Sequence, residues 1–427
     1  MRRYESYKDS GVEWMGEVPS HWEISSLGKI FLSVSEKNRP DLPLLSITRE
    51  LGVIERDTED QDSNHNFIPD DLSNYKILKK GQFGMNKMKA WQGSYGVSNF
   101  TGIVSPAYYI FDFIKSINPQ FFHWAIRSKI YVSFFGSASD GVRIGQWDLS
   151  KSRMKSIPFI IPSNNEQQKI AQFLDDKTAK IDQAVNLAEK QIALLKEHKQ
   201  ILIQNAVTRG LNPDVPLKDS GVEWIGQVPE HWDVKKLKFV SKINQHTLPE
   251  NTNGSLSIKY VDIGSVSFEN GIEKVENFSF KNAPSRARRL ANKGDIVVST
   301  VRTYLKAITM VKEEYQDCIF STGFAVVTSN ECLKDSFFEL YAKSDAFTEQ
   351  VSVSSKGMSY PAINSTDLSN LWITVPPLSE QQQIADYLDT QTTKINQAIA
   401  LKTAHIEKLK EYKHVLINDV VTGKVRV

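Results

Sequence analysis

Residues Glu166 to Ala206 read EQQKIAQFLDDKTAKIDQAVNLAEKQIALLKEHKQILIQNA and contain neither proline nor glycine. The segment is rich in Gln, Lys, Glu, Leu and Ala, which favour the α-helix. Its apolar residues recur at alternating steps of three and four, the spacing of a helix that pairs with another helix. These seam residues are Leu174, Ile181, Val185, Ala188, Ile192, Leu195 and Leu202. The pattern predicts one helix about 60 Å long, preceded by the cap-forming residues Ser163 and Asn164.

A second segment with the same spacing runs from Glu380 to about Val421, and it starts 214 positions after the first. Its seam residues are Leu388, Ile395, Ile399, Ile406, Leu409 and Leu416. Lys402 stands where the first segment has Ala188, so the two seams are similar but not identical. Each helix therefore has a natural partner in the other copy, although two unrelated surface helices would also fit the pattern.

Composition bounds the class of protein. The 427 residues, with 40% apolar and 24% charged content, suit two or three globular domains. No apolar run approaches the roughly 18 residues of a membrane helix, and the first residues lack the apolar segment of a secretory signal, so we expect a cytoplasmic protein. Two cysteines argue against a disulfide scaffold or a zinc cluster. With a net charge of +2, any contact with nucleic acid must come from local patches.

A shorter repeat, which we call the HW motif, precedes each half of the chain. Lys8 to Ile24 read KDSGVEWMGEVPSHWEI, and Lys218 to Val234 read KDSGVEWIGQVPEHWDV. The motif holds one histidine per copy with no cysteine or carboxylate cluster beside it, which is not the pattern of a metal site. We therefore prefer a structural turn anchored by tryptophan to a ligand site.

Between these repeats lie two blocks that share an order of elements but differ in residues. In the first block, from about Ser25 to Phe159, Val104–Phe113 is typical of a strand and Asn118–Tyr131 of a short helix. In the second block, 235–374, we predict a helix over Cys332–Val351. Internal repeats of this kind indicate a common frame that carries two different recognition units.

The repeated motifs KDSGVEWxGxVPxHW and EQQxIAxxLDxxTxKIxQA resemble the specificity (S) subunit of type I restriction-modification systems over the whole chain. The resemblance implies an α+β fold in which two globular α/β target recognition domains are joined by two long antiparallel coiled-coil helices, as a pseudo-twofold internal repeat. The implied segments are 1–160 (first recognition domain), 161–210 (central conserved helix), 211–374 (second recognition domain) and 375–427 (C-terminal conserved helix).

The same resemblance implies a function. Each recognition domain would read one half of a bipartite, asymmetric DNA site, while the helices set the spacing and dock two methyltransferase (M) subunits. Restriction/translocase (R) subunits would join through them, and the methyl donor, ATP and magnesium would be bound by partner subunits only. Groove-reading elements on one face of B-DNA lie about 34–36 Å apart, which a helix of about 60 Å can span.

Catalytic patterns are missing from the sequence. It has no GxxxxGK[ST] phosphate loop and no Gly-rich turn suited to a methyl donor, and its only Pro-Pro, at 376–377, lies in VPPL. We therefore predict no catalytic residue, no metal and no cofactor on this chain. Two alternatives stay open, a coiled-coil scaffold whose domains bind protein and a degenerate methyltransferase.

Candidate DNA-binding residues are those that can reach phosphates or base edges. In the first block, Asn86, Lys87, Lys89 and the neighbouring Trp91 form a basic, aromatic segment, and the run SRARRLANKG is the most basic of the second block. Solvated surface charge is the alternative for each position. The candidates are Arg49, Asn86, Lys87, Lys89, Arg143, Arg286, Arg288, Arg289, Arg302 and Lys306.

Arg143 generates a first prediction because it lies between glycines in DGVRIG, where the backbone can approach a ligand closely. Arg143→Ala should weaken DNA binding by about 1–3 kcal/mol and relax one half-site, if the residue pairs with guanine. Affinity and base preference measured on a duplex library check this. Unchanged values for both would remove Arg143 from the interface.

Overall fold

The computed structural model describes residues 2–57, 68–141 and 147–427. The chain forms two compact units, Met1–Glu189 with Ala404–Val427, and Lys190–Thr403. The boundary falls inside both long helices, so each unit contains one globular block and one half of each helix. The four segments expected from the sequence are instead divided near the ends of the long helices, so their boundaries stay a prediction.

The helices are α1 (Pro119–Ile126), α2 (Lys129–Ser137), α3 (Lys151–Ser156), α4 (Asn164–Arg209), α5 (Asp335–Ala342), α6 (Asp345–Ser354), α7 (Ser365–Ser369) and α8 (Leu378–Val421). The strands of the first unit are β1 (Tyr7–Asp9), β2 (Glu17–Pro19), β3 (Glu23–Ser26), β4 (Phe31–Val34), β5 (Leu45–Thr48), β6 (Gly52–Glu55), β7 (Lys76–Leu78), β8 (Phe83–Asn86), β9 (Tyr95–Val97), β10 (Gly102–Val104), β11 (Tyr108–Phe113), β12 (Ser139–Asp140), β13 (Asp148–Leu149) and β14 (Pro158–Ile161). Those of the second are β15 (Leu217–Asp219), β16 (Gln227–Pro229), β17 (Asp233–Lys236), β18 (Ser241–Ile243), β19 (Ser257–Val261), β20 (Val266–Ser267), β21 (Gly271–Ile272), β22 (Glu276–Ser279), β23 (Ala287–Leu290), β24 (Ile296–Ser299), β25 (Ile308–Met310), β26 (Cys318–Ser321), β27 (Phe324–Ser329) and β28 (Trp372–Val375).

Both long helices form over the segments that the apolar spacing predicts. Helix α4 has 46 residues and α8 has 44, which correspond to about 69 and 66 Å. At the start of α4, Ser163 and Glu166 form a capping box, in which each side chain accepts a hydrogen bond from the other residue's backbone N–H. Gly210 and Gly423 follow the two helix ends at φ of +76° and +74°, a conformation that glycine adopts without strain.

Within each unit the two helix halves run antiparallel. In the second unit, Lys199 Nζ donates to Asn396 (3.0 Å) and Lys402 Nζ to Gln191 (2.6 Å), so rising numbers in α4 meet falling numbers in α8. In the first unit, Lys413 Nζ contacts both carboxylate oxygens of Asp182 at 2.6 and 2.7 Å.

Burial follows the predicted seam. Leu174, Ile181, Leu388, Ile395, Ile406 and Leu416 are buried, while Val185, Ile192, Leu195, Leu202, Ile399 and Leu409 are half-buried. Leu187, Leu194 and Leu401 lie off the seam and are 57%, 63% and 73% exposed. The three-and-four spacing therefore separates inward from outward positions along both helices.

The HW motif joins each block to its helices, as the structural interpretation predicts. In the first unit, His21 Nε2 and Trp22 Nε1 lie 2.9 and 3.3 Å from the Glu166 carboxylate. Trp22 is buried and also packs beside Gly423, where a Cβ would come within 3.0 Å of its ring. The tryptophan thus connects the start of α4 with the end of α8.

The second copy repeats this joint with the helices exchanged. His231 Nε2 and Trp232 Nε1 lie 2.7 and 3.0 Å from the Glu380 carboxylate at the start of α8. A Cβ on Gly210, at the end of α4, would come within 3.1 Å of the Trp232 ring. In both units, one buried tryptophan therefore packs between the start of one long helix and the end of the other, as antiparallel pairing requires.

The two blocks share a four-stranded antiparallel sheet. Its strand order is β4-β11-β8-β9 in the first unit and β18-β27-β24-β25 in the second. The pairs β3–β14 and β17–β28 lead into the long helices. The second unit adds the sheet β22-β19-β26-β23, whereas the first has the two-stranded pairs β5–β6 and β7–β10. The common frame is therefore repeated, and the structure added to it differs.

One strand and two helices that the sequence predicts as continuous are each interrupted in the structure. Residues 104–113 do not form one strand, because a turn at Ser105–Tyr108 containing Pro106 separates β10 from β11. The helix predicted over 118–131 is divided into α1 and α2 at an extended Ser128. The helix predicted over 332–351 is divided into α5 and α6 at Ser344, whose buried hydroxyl donates to the Tyr341 carbonyl (2.6 Å). The predicted cap of α1 is confirmed, since Asn118 accepts from two backbone N–H groups.

Charge placed in the seam should separate the paired helices. We expect Ile181→Asp or Ile395→Asp to lower the free energy of unfolding by about 3 kcal/mol or more, because each side chain is more than nine-tenths buried. Leu187→Asp, at a position 57% exposed on the same helix, should change it by no more than about 0.5 kcal/mol. Thermal unfolding of the isolated chain measures both, and equal effects at the two kinds of position would contradict the seam.

The joint at Glu166 should be sensitive to pH. Partial burial alone would raise the pKa of the Glu166 carboxyl, but hydrogen bonds from His21, Ser163 and Trp22 outweigh burial and hold this pKa below its ordinary value. A carboxyl whose pKa is lowered by folding stabilises the fold at neutral pH. That contribution is lost as the pH falls through the folded-state pKa, below the ordinary value of 4.5.

Glu166→Gln should therefore lower the free energy of unfolding by about 1 kcal/mol at pH 7, as loss of a helix cap does. The difference from the unsubstituted chain should shrink as the pH falls below 4.5. Unfolding curves between pH 7 and pH 3 test this, with Glu189→Gln, an exposed position on the same helix, as the control. A difference that does not change with pH would show that the carboxylate charge plays no part.

Candidate nucleic-acid interface

One position in the repeated sheet holds the strongest candidates in both units. In the first, β8 leads through residues 87–92 into β9, with a 3₁₀ turn at Ala90–Gln92. In the second, β24 leads through residues 300–306 into β25, with a 3₁₀ turn at Thr303–Leu305. The predicted candidates Lys87 and Lys89 lie in the first connection, and Arg302 and Lys306 lie in the second. Lys89 and Arg302 each precede the 3₁₀ turn, so they occupy the same place.

The connection in the second unit has an unusual backbone. Arg302 and Lys306 have φ of 51° and 47°, in the left-handed region that residues with a Cβ rarely adopt. Among the described residues, the other non-glycine cases are Asn38 and Asn244, and asparagine tolerates this conformation. Such strain costs on the order of 1–3 kcal/mol and persists only where neighbouring structure holds it.

The neighbouring structure is the loop of residues 355–362. Thr303 donates through its backbone N–H to the Pro361 carbonyl (3.4 Å), and its hydroxyl lies 2.9 Å from that of Ser355. At the far end, Ile363 N–H donates to the Thr300 carbonyl (2.9 Å). These bonds hold the loop against the connection and fix their relative position.

Together these segments expose cationic and large apolar side chains. The Arg302 guanidinium lies over the Tyr360 ring, 5.2 Å from its centroid. Tyr360 and Tyr304 are 66% and 59% exposed, and Met358 is fully exposed. We call Arg302, Tyr304, Lys356, Met358 and Tyr360 the second reader surface. Exposed apolar side chains in a group mark an interaction surface, and the cations among them are suited to contact phosphates or base edges.

The first unit presents a different set at the equivalent place. Lys87 Nζ lies 2.8 Å from the Asp148 carboxylate, and this hydrogen bond raises the pKa of Lys87. The rings of Trp91 and Trp147 pack with centroids 5.1 Å apart. Lys89 is exposed, as is Met88 beside it. We call Lys87, Met88, Lys89, Trp91 and Trp147 the first reader surface.

Other predicted residues of the first unit have structural partners. Asn86 is buried at the end of β8, where its amide donates to the Tyr108 hydroxyl (3.3 Å) and its carbonyl accepts from Met88 N–H (3.1 Å). The Asn86 side chain therefore stabilises the start of the connection between β8 and β9. Arg49 is exposed beyond β5 and pairs with Glu50 at 3.2 Å. Arg143 lies outside the described residues.

The basic run of the second unit lies on another sheet. Arg286 precedes β23 and is exposed, whereas Arg288 lies over the Phe280 ring at 4.7 Å. Arg289 is half-buried, and burial lowers its pKa. A backbone path joins this sheet to the second connection, because Thr322 N–H donates to the Arg286 carbonyl (2.8 Å) and Thr300 N–H to that of Gly323 (2.7 Å).

Lys306 is turned toward the protein. It is half-buried, its Nζ donates to the Thr348 hydroxyl (3.1 Å), and the Glu349 carboxylate lies at 3.5 Å. The residue therefore fastens the connection to α6, while Arg302 remains at the surface.

Comparison with known families decides the class of protein. A family described as "Type I restriction modification DNA specificity domain" matches residues 19–190 and 229–410. Each match includes one variable block and part of a long helix. The chain belongs to this family. Membership confirms the predictions of a specificity subunit and of a chain that is not itself an enzyme.

Two curated specificity subunits illustrate the relation. The type I restriction enzyme MjaVIII specificity subunit of Methanocaldococcus jannaschii is 27% identical over 310 residues, which are 70% of this chain and 69% of the relative. The EcoDI specificity subunit of Escherichia coli is 23% identical over 420 residues, 90% of this chain and 86% of the relative.

Solved specificity-subunit structures share the fold. A chain from a study of complex assembly and conformational transition of a type I R-M system matches with a TM-score of 0.72 at 15% identity, covering 96% of this chain and 99% of that one. The HsdS subunit of Thermoanaerobacter tengcongensis matches with a TM-score of 0.57 at 16% identity, covering 96% and 98%. The predicted fold class, two α/β blocks joined by long antiparallel helices, is confirmed.

Sequence reasoning about this specificity subunit missed Tyr304, Lys356, Met358 and Tyr360. The Gly loop around Met358 lacks the arginine found in the first block's loop, so the argument from Arg143 did not extend to it. An aromatic residue beside Arg302 and another beside the Gly-Met pair were the available signals.

Over residues 2–57, 68–141 and 147–427, no group of three or more His, Cys, Asp or Glu side chains is placed to hold a metal ion. In the same part of the chain, no helix has the length and apolar character needed to span a bilayer.

Proposed function

We propose that this specificity subunit directs a type I complex to a bipartite, asymmetric DNA site, with each block reading one half. The observation that carries the proposal is the pair of reader surfaces at equivalent positions of a repeated frame. The frame is alike in both blocks, whereas the surface residues differ, with Lys87 and Lys89 on one and Arg302 and Tyr360 on the other. Unlike surfaces on like frames suit two different half-sites.

Charge supports double-stranded DNA as the ligand. The chain as a whole carries only +2, so bulk attraction to phosphates is weak, and affinity would depend on local cations. Arg286, Lys89 and Arg302 are exposed and suited to this role. The relatives' names describe subunits of restriction enzymes, which act on DNA.

The long helices supply the remaining parts of the proposal. Their antiparallel pairing would set the distance between half-sites, and their outer faces would dock two methyltransferase subunits, through which restriction/translocase subunits join. Methyl donor, ATP and magnesium would be bound by those partners, in the cytoplasm. The antiparallel contacts within each unit support a fixed helix register, as a defined spacer requires.

Genome-wide mapping of methylated positions tests the proposal. The chain expressed with its methyltransferase partner should methylate one motif made of two unlike halves around an unspecified spacer. A continuous motif, or no motif with both subunits present, would contradict it and would favour a protein-binding scaffold. Methyl-donor binding by the isolated chain would favour a degenerate methyltransferase instead.

Substitution on each surface should affect one half only. We expect Lys89→Ala to relax one half of the motif and Arg302→Ala the other, each lowering the affinity of the complex about tenfold. Lys312→Ala, an exposed position of the second block, is the control. Loss of both halves from one substitution would argue against separate reading.

A further inference from the structure

Some cations on and near the two reader surfaces have a carboxylate partner, and others do not. Arg49 pairs with Glu50, Lys87 with Asp148, and Lys306 lies beside Glu349. Arg302 forms no ion pair among the described residues, and its guanidinium instead faces the exposed ring of Tyr360 at 5.2 Å. Its charge and its N–H groups are therefore available to a ligand.

The backbone restricts where this guanidinium can be. Arg302 is held at a φ of 51°, and the next residue, Thr303, is bonded to the loop that carries Tyr360. Stacking on the ring then limits the side-chain rotamers. An arginine ordered before binding loses less conformational entropy when it meets its ligand, which is the general advantage of a preorganised site.

The position of the guanidinium over the Tyr360 ring also bears on which of its N–H groups can face a ligand. The group is planar, and when one face covers a ring, its N–H donors point outward along the edge. Two parallel N–H donors match the O6 and N7 acceptors of guanine in the major groove.

The surroundings favour a base over a phosphate. Met358, in the loop that carries Tyr360, is fully exposed, and Tyr304, two residues after Arg302, is 59% exposed. Apolar side chains gain more from base edges and thymine methyl groups than from charged phosphate oxygens. A phosphate contact does not require a fixed plane, since a lysine can bind phosphate as a point charge.

We propose that Arg302 reads a guanine through O6 and N7 in the half-site of the second block, and that Tyr360 is the positioning residue that holds the guanidinium plane. The inference rests on the proposed function and deepens it by assigning a base to a residue. Arg302→Ala would remove the two-pronged contact, whereas a lysine could still donate to O6 and N7.

The test replaces each guanine of the mapped site, one at a time, by 7-deazaguanine, which lacks the N7 acceptor. Binding of each duplex to the complex of the full chain with its methyltransferase is measured. At one guanine, the replacement should weaken binding by the unsubstituted complex about tenfold. The Arg302→Ala complex should bind the normal duplex about tenfold more weakly and show no further loss with 7-deazaguanine at that position.

Tyr360 is tested by a pair of substitutions. Tyr360→Phe keeps the ring and should retain the full sensitivity to 7-deazaguanine at that guanine, whereas Tyr360→Leu should lose most of it. Arg209→Ala, at an exposed position at the end of α4, should behave like the unsubstituted chain. Matching unfolding temperatures for all variants would exclude a folding effect.

Two results would overturn the inference. If every guanine that is sensitive in the unsubstituted complex is equally sensitive in Arg302→Ala, Arg302 does not read guanine N7. If Tyr360→Leu keeps full sensitivity, Tyr360 does not position it. Failure of the proposed function is a separate outcome, because the unsubstituted complex would then not prefer its mapped site over a scrambled duplex.

Discussion

The fold depends on the pairing of two long helices whose apolar seams cannot be satisfied alone. Most of the surface of α4 and α8 is polar, and a helix of this kind is stabilised chiefly by the packing of its apolar face. Each helix has its partner within the same chain. The seam residues are buried or half-buried along both helices. Lys402 interrupts the seam but bonds to Gln191 at 2.6 Å. A polar pair of this kind favours one register over its neighbours.

The HW motif fixes the ends of the paired helices. Each motif places a histidine and a buried tryptophan on one carboxylate, Glu166 or Glu380, at the first turn of a helix. Negative charge at a helix start is also favoured by the helix dipole. The same tryptophan packs on the glycine that ends the other helix. The motif is repeated nearly unchanged because both joints have the same geometry to satisfy.

The residues that we propose for recognition have the opposite requirement. They lie on connections between strands of the repeated sheet, where a change of side chain leaves the sheet intact. The first connection pairs Lys87 with Asp148, and the second stacks Arg302 on Tyr360. A rigid sheet with variable connections allows one architecture to present two different surfaces, which is the arrangement that an asymmetric DNA site requires.

The sequence by itself determined the parts governed by local periodicity and by repetition. The three-and-four spacing identified the helix seam, and the two HW motifs identified the internal repeat. Only the tertiary structure decided the reader surfaces, because Tyr360 reaches Arg302 across more than fifty residues and Asp148 reaches Lys87 across sixty-one. The same dependence on contacts between distant residues explains why one predicted strand and two predicted helices are interrupted. Ser344 lies between α5 and α6 and donates its buried hydroxyl to the Tyr341 carbonyl. No local pattern records which side chains a distant loop will meet.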